Sequence, residues 1–68
     1  MIQQVIGLVK DKSEHGEQQF YMLTFKYADQ GAGYFATTLF GTEEHLRSVL
    51  KTGGIADAAI NQLFANAH

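Results

Sequence analysis

Within the first 41 residues of this chain, apolar side chains recur at every second position in three stretches, and afterwards at three- and four-residue spacing. The densest stretch is residues 20–40, which holds all of the aromatic side chains except Phe64. Strands place successive side chains on opposite faces, so alternation reads as β-structure. In residues 18–28, Tyr21, Leu23, Phe25 and Tyr27 share one side, and Phe20, Met22, Thr24 and Lys26 the other. The first set is continuous and is expected to meet the rest of the core. The second is apolar at one end and polar at the other. Residues 34–41 repeat the pattern, with Phe35, Thr37 and Leu39 opposed to Tyr34, Ala36, Thr38 and Phe40. Residues 2–10 form the remaining strand candidate, with Ile6 and Leu8 on one side and Val5 and Val9 on the other. Gly7 between them marks either a bulge or a small residue packed beneath an aromatic, and the second is the expectation.

The polar segment at residues 11–17 contains Gly16, and residues 29–33 contain Gly31 and Gly33, so both read as hairpin turns. Short connections favour an antiparallel meander with the middle strand in sequence also central in space. The period then changes. Thr42 is a good helix N-cap, and Glu43 and Glu44 behind it suit the positive end of a helix dipole. Leu46, Val49 and Leu50 form a helical stripe that Gly53 and Gly54 close. A second helix is expected over residues 55–66, with Ile55, Ala59, Ile60, Leu63 and Phe64 on its apolar side and Ala67 and His68 frayed beyond it. The sum is an α+β fold: a three-stranded antiparallel β-meander followed by two C-terminal helices packed on one sheet face.

Size then narrows what this fold can do. With 68 residues the chain is expected to be one small domain spanning residues 1–68. A core of this size supplies roughly 3–5 kcal/mol unless disulfides, a metal or self-association help it. Cysteine is absent, which excludes disulfides and thiolate chemistry. The formal charge of −2 is dispersed, whereas nucleic-acid binding draws on a basic excess. No charged leader precedes an apolar run, and nothing approaches the ~20 apolar residues of a membrane helix. The expectation is a soluble, cytoplasmic protein with no membrane partner.

Candidate chemistry is sparse. Ser13 and Ser48 lie outside any nucleophile-elbow pattern. Glu43 and Glu44 are neighbours on a helix, so their carboxylates diverge. His15, His45 and His68 fall in a loop, a helix start and a chain end, at no metal-ligand spacing. The Gly-x-Gly at residues 31–33 lacks the following helix that a phosphate loop needs. No catalytic residue, metal site or cofactor is therefore expected, and the chain is read as a non-enzyme.

What two helices leave over is more informative. If they cover the Leu23/Phe25 face, the opposite face carries Val5, Val9, Phe20, Met22, Tyr34 and Phe40. An apolar patch of that extent usually marks an interaction surface, and aromatics and Met are enriched in interface centres. The expected function is a small protein–protein interaction module, a homodimer through this second face or through a sheet edge, with a further protein partner unspecified. Strong twisting of the sheet would instead bury the same residues internally. A different class of reading has nucleic acid or a small ligand stacking on Phe20, Tyr34 or Phe40. The layout also resembles that of many small bacterial and phage proteins, some anti-CRISPR inhibitors among them, which would make the chain an inhibitor of a host complex. No motif accompanies that likeness, so it carries no residue over.

Overall fold

Strand β2 (Phe20–Asp29) lies between β1 (Ile2–Lys10) and β3 (Gly33–Thr42) in one antiparallel sheet, and helices α1 (Glu43–Thr52) and α2 (Asp57–Ala65) follow. The computed structural model describes residues 1–13, 16–29, 31 and 33–68. The meander followed by two helices is thus the architecture. His15, read above as a loop residue, and parts of both turns lie outside the described residues.

The β2–β3 register is unbroken from Phe20↔Thr42 to Asp29↔Gly33, so the two alternating patterns align face to face. Tyr21, Leu23 and Phe25 are buried against Leu46, Leu50, Ile60 and Phe64 of the helices. Leu23, Leu46 and Leu50 are fully buried, and the Phe64 ring meets Tyr21 edge-on at 5.0 Å. At the β2–β3 turn the same face is barer. Tyr27 is partly buried against the core, and Phe35 opposite it stays 43% exposed.

β1 departs from simple alternation. Its register against β2 shifts between Ile2 and Gln4 and again between Val5 and Gly7. Each shift inserts an extra residue, so Ile2, Val5 and Leu8 oppose Tyr27, Phe25 and Leu23 on the helix-covered face. Three expectations are corrected here. Val5 packs against the core, and Ile6, expected on the same side as Leu8, is 56% exposed. A Cβ at Gly7 would meet nothing within 4 Å, so the glycine adjoins a bulge and is not packed beneath an aromatic.

The helices start and stop for local reasons. The Thr42 hydroxyl accepts a hydrogen bond from the His45 N–H at 3.3 Å, and Glu43 and Glu44 occupy the first turn. Gly53 returns its N–H to Val49 and Lys51 carbonyls, and Gly54 takes the positive φ of +95° that reverses the chain. Ile55, expected inside the second helix, precedes it and packs beside the core, because α2 begins only at Asp57. Arg47 ties the two helices together. It donates to the Glu43 carboxylate and to Asn61 Oδ1, both at 2.8 Å, and its guanidinium lies 4.7 Å from the Phe64 ring centre. The last residues of the sequence are also engaged. The His68 carbonyl accepts from the Lys10 N–H at 2.9 Å and Ala67 packs on the core, where fraying was expected.

Candidate interaction surface

The helix-free face is built by the alternate residues of the three strands. At one end Met22 opposes Phe40 on β3 and Val9 on β1, and Phe20 sits one step along. The Phe20 and Phe40 rings stack with centroids 5.0 Å apart and planes 16° from parallel. Across the middle, Thr24 and Thr38 share a hydroxyl hydrogen bond at 3.0 Å. At the far end the Lys26 ammonium lies 5.2 Å from the centre of the Tyr34 ring. The face therefore grades from apolar to polar, following the side-chain order of β2.

Five of the six residues proposed from sequence share this face: Val9, Phe20, Met22, Tyr34 and Phe40. Val5 does not, for the bulge places it beneath α2. The large side chains here are well exposed: Met22 39%, Val9 45%, Phe40 49% and Tyr34 61%. Lys26 is the one charged side chain among the described strand residues on this face. A phosphate chain tracks a positive groove, which a single lysine does not provide.

The sheet edges matter as much as its face. Backbone polar groups alternate in direction along a strand, towards one neighbour and then the other. The Asp11 N–H donates to the Phe20 carbonyl, so Phe20 and its alternates point towards β1, and Tyr21, Leu23, Phe25, Tyr27 and Asp29 point towards β3. Their partners on β3 point inward. Tyr34, Ala36, Thr38 and Phe40 accordingly direct their backbone groups outward. The same alternation makes Ile2 and Lys10 outward on β1. There the Ile2 N–H donates to the Gly53 carbonyl at 3.0 Å and the Lys10 N–H to His68, consistent with the assignment. The β1 edge is thus closed at its two ends and bulged between them. Among the described residues, no backbone hydrogen bond outside the sheet reaches Tyr34, Ala36 or Thr38.

Among the described residues, the groups considered for chemistry lie apart. No three His, Cys, Asp or Glu side chains converge on a possible metal position among the described residues. His45 is exposed on α1 and Ser13 in the first loop. Two open apolar hollows lie on the helix side. One, of about 410 Å³, is bounded by Ile2, Phe25, Tyr27 and Val49. The other, of about 450 Å³, lies between β1 and α2 with Val5, Leu8, Ile55 and Leu63 in its walls and only Gln62 and Asn66 as polar side chains. Neither brings acid, base and nucleophile together. Among the described residues no helix is long and apolar enough to cross a membrane. No protein-family model, no curated protein and no solved structure matches the chain.

Proposed function

We propose that this chain is a small non-catalytic interaction module that self-associates through the side of its sheet that the helices leave bare, by its open face or by the β3 edge. The observation that supports the reading is the contiguous exposed row of Val9, Met22 and Phe40 across all three strands, continued by Tyr34. Leaving such a patch in water is unfavourable, and covering it removes apolar area worth roughly 25 cal/mol per Å². Burial against a second copy also adds core to a chain whose own core is small. The surface suits a cytoplasmic protein–protein contact. A nucleic-acid reading has the aromatics in its favour and the lone Lys26 against it.

Sedimentation equilibrium across nanomolar to high micromolar concentration, at low and high salt, tests this. A concentration-dependent dimer that persists at high salt is expected, since apolar association does not release counterions. A chain that stays monomeric at high micromolar concentration overturns the self-association reading. Salt-sensitive binding of a single-stranded oligonucleotide would instead favour the alternative.

A further inference from the structure

The two outer strands are not equivalent, and β3 has a property that bears on its partner. Residues 33–41 read Gly-Tyr-Phe-Ala-Thr-Thr-Leu-Phe-Gly. About Thr37 this sequence is nearly its own reverse: Gly33 matches Gly41, Tyr34 matches Phe40, Phe35 matches Leu39, and Ala36 matches Thr38. A two-fold interface requires a surface complementary to itself, with residue i on residue j and j on i. Any antiparallel pair of identical strands about a two-fold axis meets that requirement, and about Thr37 the residues it brings together are also alike: aromatic on aromatic at Tyr34 and Phe40, large apolar at Phe35 and Leu39, small at Ala36 and Thr38, and glycine on glycine.

We propose that a second copy of this chain adds to the outer edge of β3, antiparallel, with the two-fold axis through Thr37, to form one six-stranded sheet across the dimer. Self-association, proposed above, is its premise, and the edge and register are what it adds. Four features support it. Ala36 and the other copy's Thr38, which would pair at the centre of the interface, have backbone groups that point outward, so each of these opposed pairs exchanges two hydrogen bonds. The strand carries no charged residue from Gly33 to Thr42 and no bulge against β2, although edge strands are normally blunted by lysine, proline or bulges. Phe35, half-exposed beyond the reach of the helices, would come to lie against Leu39 of the other copy. On the open face, Tyr34 beside the other copy's Phe40 gives an aromatic cross-strand pair at each end of the interface.

The absence of cysteine makes the register directly measurable. Thr37 opposes itself as a non-hydrogen-bonded pair, where Cα atoms approach to about 4.5 Å, within disulfide range. Thr37→Cys is expected to cross-link as a dimer under mild oxidation. Tyr34→Cys alone should not, because its copies lie about 20 Å apart along the strands, whereas a mixture of Tyr34→Cys and Phe40→Cys should. Thr38→Pro removes an outward N–H that β2 does not use, so it should leave the monomer folded by circular dichroism and raise the dimer dissociation constant about tenfold or more. A dimer that cross-links through Met22→Cys and not through Thr37→Cys overturns the edge inference while self-association stands, as does a Thr38→Pro dimer of unchanged affinity. Should the proline variant not fold, the cross-linking pattern decides. A monomeric wild type removes both.

Discussion

β1 and β3 flank the same central strand and have about the same length, yet their outer edges are finished differently. β1 turns Ile2, Val5 and Leu8 inward by two bulges, and its end amides are closed by Gly53 and His68. β3 is regular and uncharged, with Tyr34 and Phe40 half-exposed or more. The difference shows how a small sheet can be finished on one edge by its own chain, while on the other edge, among the described residues, no backbone hydrogen bond outside the sheet reaches Tyr34, Ala36 or Thr38. Assembly through the sheet edge, as proposed, depends on β3.

Mutations should separate the two strands, most strongly in the core. Leu8 is 8% exposed and sits opposite the fully buried Leu23. Leu8→Ala removes its packing and leaves a cavity, and is expected to cost about 2–5 kcal/mol, enough to unfold a domain this small. Urea denaturation at a fixed protein concentration measures it, the concentration being held because self-association, if it occurs as proposed, would itself stabilise. A loss below about 0.5 kcal/mol, the range of an ordinary surface change, would contradict the role assigned to β1.

The closed end of β1 provides the next test. A Cβ at Gly53 would lie 2.5 Å from Ile2 Cδ1 and 2.6 Å from its Cγ1, so the whole Ile2 side chain must move. Gly53→Ala should therefore destabilise by about 1–3 kcal/mol, as overpacked sites do, although its φ of −76° suits alanine. A neutral or stabilising effect would mean that Ile2 is held less firmly than its contact implies. Smaller still is Thr42→Ala, which removes the cap joining β3 to α1, at about 1 kcal/mol. On β3 itself, Tyr34→Thr should change monomer stability by less than about 0.5 kcal/mol, measured where the protein is dilute. A Tyr34 variant as damaging as Leu8→Ala would erase the contrast between the strands.

Much of this was legible in the sequence, and the reasons differ by element. β2 and β3 declare themselves because large side chains alternate without interruption and no bulge disturbs them. α1 does so because Thr42, Glu43, Glu44 and the terminal glycines are all local signals. β1 was only half legible. Strict alternation puts Val5 opposite Leu8, but its pairing with β2 brings Ile2, Val5 and Leu8 to one face, a three-residue recurrence that is visible in the sequence once bulges are allowed. The start of α2 was misplaced because Ile55 fits the helical stripe by spacing, while the chain is still reversing at Gly54 and Ala56 offers no side-chain cap. Arg47 gave no signal, since its role depends on Asn61 and Phe64 coming within reach across the helix joint. The open face followed from counting helices, and its composition differed only by Val5. The near-palindrome about Thr37 lies in plain view in the sequence. It acquires meaning only when β3 is known to be an outer strand and the outward direction of Tyr34, Ala36 and Thr38 is known.

The most direct measurement is amide hydrogen exchange of the wild-type chain, resolved by residue, at dilute and at high micromolar concentration. Amides that gain a partner are protected from exchange, and those facing solvent are not. If β3 is the edge that pairs, the Tyr34, Ala36 and Thr38 amides exchange freely when the protein is dilute and slow together as the concentration rises, while the Ile2 and Lys10 amides are protected throughout. Exchange at Tyr34, Ala36 and Thr38 that does not change with concentration, in a sample shown to be dimeric, would contradict it.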